Sequence, residues 1–167
     1  MNDKNEILYD KSILIVEDDK VSLNIIKTIL EYNNFTNIFV ASSAKEAIKI
    51  IEKESIYLVL MNYSMPNMNG IEACNYIKNN LNIPESSIII ITSKNNDYLT
   101  RSSFKAGAID FITKPLNPLE LVSRIENVLK YRLSLENSVK QNKKMESMNK
   151  NLKEVMFSNN NTVSSKK

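Results

Sequence analysis

The chain is predicted to be an α/β protein: a doubly wound, five-stranded parallel sheet, (βα)5, with an extended C-terminal helix. Two observations carry this expectation. Short apolar runs alternate with segments of helical periodicity, five times in succession. Three of those runs are continuous rather than alternating, which is the pattern of strands buried on both faces of a parallel sheet. Such a chain fits an open sheet, with too few units to close a β/α barrel.

Ile13-Leu14-Ile15-Val16 reads as the first strand. Residues 20–32 follow, with Val21, Leu23, Ile25, Ile26, Ile29 and Leu30 at helical spacing. Ile38-Phe39-Val40 is a second, shorter strand. Ser43-Ala44-Lys45-Glu46 reads as a capping box opening a helix that carries Ala47, Ile48, Ile50 and Ile51. Tyr57 to Met61 is the third strand. Pro66 and Gly70 bracket a loop, and a helix is expected from about 70 to 80. Ile88 to Ile91 is the fourth strand, and Gly107 can end the helix after it in a left-handed C′ position. Ile109 to Thr113 is the fifth. Asn117-Pro118-Leu119-Glu120 opens the last helix with a cap, a proline in the first turn and a carboxylate at its third position.

Composition removes whole classes of chemistry. Across 167 residues there is no histidine, which excludes Ser-His-Asp and Cys-His pairs, histidine metal ligands and a histidine phosphocarrier. One cysteine, Cys74, leaves no internal disulfide. Two glycines cannot build a Gly-rich dinucleotide loop or a P-loop. No apolar run approaches the length of a membrane span, and residues 1–11 lack a signal-peptide core, so a cytoplasmic protein without a membrane partner is expected. The 24 asparagines read as a composition bias, not a functional tract. Residues 1–127 hold 13 basic and 16 acidic side chains, whereas residues 128–167 hold 9 basic and 3 acidic. The basic tail reads as a solvated helix face; nucleic acid is not expected as a partner.

In doubly wound sheets, function gathers beyond the carboxyl ends of the strands. There the sequence places Glu17-Asp18-Asp19, then Asn62, then Thr92-Ser93, then Lys114-Pro115. Carboxylates, a hydroxyl and an ammonium at one mouth suggest a site for a hard cation and a phosphoryl group.

The stretches ILIVEDD (13–19), LVLMNYSMPNMNG (58–70), IIIITS (88–93) and GAIDFITKPLNPLEL (107–121) resemble a response-regulator receiver domain of the CheY-like, flavodoxin-like fold. The resemblance covers about residues 10–130 and implies the strand order 2-1-3-4-5. It implies that Asp18 is a direct Mg²⁺ ligand, Glu17 an acid behind it, and Ser64 a ligand through its backbone carbonyl. Thr92 matches the hydroxyl that follows the phosphoryl group, Lys114 the site lysine, and Phe111 the aromatic switch position. Lys114–Pro115 matches a bond usually cis in the family, and Gly70 fits the tight turn before the third helix. The implied partner is a histidine kinase or phosphotransfer protein, and the implied role is signalling rather than enzymatic.

One residue departs from the pattern. The family's phosphoacceptor is an aspartate, and this chain has Asn62 there. An amide oxygen is a poor nucleophile and carries no charge for Mg²⁺. Phosphorylation is therefore not expected, and Mg²⁺ binding is expected to be weak or absent. Two readings stay open: a receiver with one substituted residue, or a pseudo-receiver acting as a phosphate-independent dimerising adaptor. A Mg²⁺-dependent phosphatase would lack DxD spacing, and a flavin carrier would need a hydroxyl-rich phosphate loop where this chain has acids.

Helical pattern continues past residue 130 to about 157. Ile125, Val128, Leu135 and Val139 recur at coiled-coil spacing, with Arg132 and Asn142 in register, and Met145, Met148, Leu152 and Val155 resume after a short step. Residues 131–157 are thus expected to be a helical extension forming a homodimeric coiled coil. Residues 158–167 are expected to be a disordered tail, and an output domain can be missing from the chain.

Overall fold

In the computed structural model, which describes residues 8–81, 87–94 and 96–163, the apolar runs form one sheet. The strands are β1 (Ile13–Val16), β2 (Ile38–Ala41), β3 (Leu58–Asn62), β4 (Ser87–Thr92) and β5 (Asp110–Thr113). All pairings are parallel, in the order β2-β1-β3-β4-β5. The helices are α1 (Lys20–Tyr32), α2 (Ala44–Lys53), α3 (Gly70–Asn80), α4 (Asp97–Lys105) and α5 (Pro118–Val163).

The continuous apolar runs are the three central strands β1, β3 and β4, buried along their whole length. Alternate side chains face opposite ways. Leu14, Val16, Val59, Met61, Ile88 and Ile90 join the core beneath α2 and α3, together with Ala47, Ile51, Cys74 and Ile77. Ile13, Ile15, Leu58, Leu60, Ile89 and Ile91 face the other side, where α1 and α5 bury Ile26, Leu30, Leu121 and Ile125. Each such side chain contributes about 1.5–3 kcal/mol on burial. Beneath α2 and α3, desolvation pushes the buried Cys74 thiol up to about 11.

Two strands run past their expected ends into polar residues. Asn62 and Thr92 are polar but still pair, Asn62 with Ile91 and Thr92 with Thr113, because the ladder is made by backbone groups. The chain stops follow their sequence signals with two amendments. Ser43 caps α2, but Glu46 reaches back to the Ser42 N–H (2.7 Å) and hydroxyl, so the reciprocal box closes one residue early. Asn69 and Glu72 form a full capping box on α3. Gly107, at φ 96°, ends α4 in a Schellman motif: its own N–H donates to Phe104 O and the Ala108 N–H to Ser103 O, both at 3.0 Å.

The chain divides into two compact units, one ending at Lys130 and the other starting at Tyr131. In the second unit the backbone is helical through Val163, into the 158–167 span whose composition suggests disorder. Ser and Asn there are indifferent helix formers, but no Gly or Pro stops the helix. Residues 164–167 lie outside the described residues, as does the Val155 side chain. Among the described residues, no helix is long and apolar enough to cross a membrane.

Candidate functional site

β1 ends where its apolar run gives way to acids, which fixes Glu17 and Asp18 at the carboxyl edge of the sheet. The Glu17 N–H still donates to the Ala41 carbonyl (3.0 Å), and its side chain turns inward, 2% exposed. Asp18 lies on the exposed side. β3 delivers Asn62 beside them, 6% exposed, and the Tyr63 N–H donates to the Ile91 carbonyl at 2.7 Å. At the end of β5 the Lys114 N–H donates to the Thr92 carbonyl (2.7 Å), and the Lys114–Pro115 bond is cis.

Four groups converge on or beside the Asn62 carboxamide. Its Nδ2 donates to Glu17 Oε1 at 2.9 Å, to Asp18 Oδ1 at 3.0 Å and to the Ser64 carbonyl at 2.9 Å. Lys114 Nζ donates to the other Glu17 oxygen, Oε2, at 2.7 Å. The cluster therefore holds two carboxylates, one ammonium and one neutral amide.

The remaining predicted residues stand around this cluster. Thr92 is buried, one residue past the partner of Asn62, and its hydroxyl accepts from the Lys94 N–H at 3.1 Å. Phe111 is half-buried against the core, on the strand beside β4. Asp19 leaves the site: its Oδ1 accepts from the Ser22 N–H at 2.7 Å and caps α1, and these hydrogen bonds hold its carboxyl below the usual range. Tyr63 and Lys94, next to the site in sequence, carry no motif signal; the ammonium stands 6.0 Å from the ring centroid.

Gly70 serves this site by close approach. Its N–H donates to the Tyr63 carbonyl at 2.9 Å, and a Cβ there would overlap the Asn62 carbonyl oxygen and lie 3.0 Å from Tyr63 Cα. Both neighbours are backbone, so neither can turn aside. Gly70→Ala is expected to cost about 2 kcal/mol, read as a lower midpoint in chemical denaturation. A change within about 0.5 kcal/mol would mean that the loop yields without strain.

Comparison with known proteins agrees with this geometry. The family model described as "Response regulator receiver domain" matches residues 13–126. The chain belongs to that family, the receiver domains of two-component signalling. It is similar to the transcriptional regulatory protein YvrH of Bacillus subtilis, with 41% identity over 123 residues, 74% of this chain and 51% of that protein. It is also similar to the regulatory protein VanR of Enterococcus faecium, at 33% over 118 residues, 71% of this chain and 49% of that protein. Among solved structures it resembles a CheY-like receiver domain protein from Methanospirillum hungatei, with TM-score 0.68 and 32% identity, covering 75% of this chain and 98% of that one. The chain spans about half the length of the curated relatives it matches.

Receiver domains use Mg²⁺ in phosphorylation. Mg²⁺ takes oxygens in a tight octahedral shell at about 2.0–2.1 Å. Here the oxygens of Glu17, Asp18 and Ser64 surround an N–H donor at hydrogen-bond distance instead. Reversing the amide would set its oxygen against three acceptors, so the hydrogen bonds assign that position to nitrogen. With Asn62 in place, the residues do not fit the ion.

Proposed function

We propose that the chain is a two-component receiver whose phosphoryl switch is closed at residue 62. It docks a histidine kinase or phosphotransfer partner in the cytoplasm, performs no enzymatic reaction, and takes up no phosphoryl group while Asn62 stands there. The observation that carries this reading is the convergence of Glu17, Asp18 and the Ser64 carbonyl on the Asn62 amide, with Lys114 on Glu17. The surrounding groups suit an acceptor; the acceptor itself is not a nucleophile. Intact-mass spectrometry after exposure to acetyl phosphate tests it. No adduct is expected on the chain and one on Asn62→Asp. An adduct on the Asn62 chain, or none on either, overturns the reading.

A second reading, a phosphate-independent dimerising adaptor, is favoured by the second unit. Val139, Met145, Met148 and Leu152 are each more than half exposed on that helix. Their spacing suits a second copy of the same helix, which would cover the stripe. Arg132 and Asn142 interrupt the seam, so a modest, concentration-dependent affinity follows. Sedimentation should show a dimer for the full chain and a monomer after truncation following Lys130, which retains the fully buried Leu129. A full chain that stays monomeric at high micromolar concentration excludes the coiled coil.

A further inference from the structure

The Asn62 carboxamide makes more bonds than a merely inert replacement needs. Its nitrogen lies within 3.0 Å of three oxygens from three residues: the Glu17 carboxylate, the Asp18 carboxylate and the Ser64 carbonyl. An amide nitrogen carries two hydrogens, so one is shared between two acceptors. No single strand imposes this arrangement. Glu17 and Asp18 follow β1, Asn62 closes β3, and Ser64 belongs to the loop after it.

Without a donor between them, the pocket is under tension. Two carboxylates approach one point, and one of them belongs to a residue that is 2% exposed. Lys114 donates to the far oxygen of Glu17, Oε2. Among the described residues, the amide donates to Oε1 and to the Asp18 carboxylate, and the Asp19 N–H lies 3.3 Å from Oε1. Like charges this close repel unless a cation or a donor stands between them.

We propose that the Asn62 amide group is a built-in substitute for the divalent cation: it holds Glu17, Asp18 and the 62–64 turn in their assembled positions, so the pocket is complete without metal and does not take Mg²⁺. This rests on reading the pocket as the receiver site, and it goes further by assigning Asn62 a structural task. Substitution there removes a bond as well as a nucleophile. Asn62→Asp would set a third carboxylate among the first two and make the pocket depend on Mg²⁺. Asn62→Ala would remove the donor without adding charge.

Thermal unfolding of the full-length chain and of both variants, each in EDTA and in millimolar MgCl₂, tests the proposal. The Asn62 chain should melt at the same temperature in both buffers. In EDTA, Asn62→Asp and Asn62→Ala should each melt at least about 3 °C lower. Mg²⁺ should restore most of that loss in Asn62→Asp. A Mg²⁺-dependent rise in the Asn62 chain would overturn the proposal, as would variants that melt in EDTA no lower than the parent. The result separates from the phosphorylation test. Labelling of Asn62→Asp together with a Mg²⁺-responsive parent would remove this inference and leave the receiver reading. A Mg²⁺-indifferent parent with a Mg²⁺-rescued Asn62→Asp that fails to label would do the reverse.

Discussion

In a Mg²⁺ buffer with acetyl phosphate, Asn62→Asp is expected to gain one phosphoryl group per chain, where the Asn62 chain gains none. The transfer needs a carboxylate oxygen that attacks phosphorus while the bond to the acetyl oxygen breaks and acetate leaves. The Asn62 nitrogen is occupied as a hydrogen-bond donor to Glu17, Asp18 and Ser64, and its oxygen is neutral. Asp at the same place supplies the missing nucleophile with nearly the same shape. The surrounding groups then have distinct tasks. Lys114, now 2.7 Å from Glu17, is the ammonium positioned to reach the transferred oxygens. Adding Lys114→Ala to Asn62→Asp should slow labelling about 100-fold. Thr92→Ala in the same background should slow it less, because its hydroxyl already accepts from the Lys94 N–H and stands one residue along β4. The rate of adduct formation by mass spectrometry separates the three. Equal rates with and without Lys114 would confine that residue to pairing with Glu17.

Much of the fold is legible in the sequence because a strand buried on both faces has no polar side to hide. ILIV, LVLM and IIII announce β1, β3 and β4, and their burial is complete. What lies at their ends is harder to read. Hydropathy stops β3 at Met61 and β4 at Ile91, whereas backbone pairing carries each one residue further, into the polar residues of the site. The strand-end rule brings Glu17, Asp18, Asn62 and Lys114 to one edge, where their side chains meet. It does not separate Asp19, the third acid of the run, which caps α1. Nor can it say which atom of Asn62 meets the acids; that depends on distances of a few tenths of an ångström. Gly70 is similar. Its motif suggests a tight turn, but the structure requires it for lack of a Cβ beside the Asn62 carbonyl. At the tail, composition over 158–167 suggests disorder, and with no Gly or Pro to stop it the helix runs through Val163.

Lys114→Met is expected to destabilise the chain by about 3 kcal/mol. The Glu17 side chain is 1% exposed and that of Lys114 23%, so one charge of the pair is fully withdrawn from water and the other only in part. Methionine keeps the length of the aliphatic stem and removes the charge. Glu17 would then be a buried carboxylate held by the Asn62 amide and the Asp19 N–H, with no countercharge at 2.7 Å. Breaking a buried pair from one side costs about 3–5 kcal/mol, and the partial exposure of Lys114 places this case at the lower end. Removing both charges should cost far less. Glu17→Gln combined with Lys114→Met leaves a neutral amide where the carboxylate stood, and the double variant should recover more than half of the loss. Urea denaturation of the parent, both single variants and the double variant closes the cycle, provided the slopes stay equal. A Lys114→Met loss below about 0.5 kcal/mol would mean that the pair behaves as a solvated surface contact. A double variant as unstable as the sum of the singles would show that Lys114 acts on the fold through something other than Glu17.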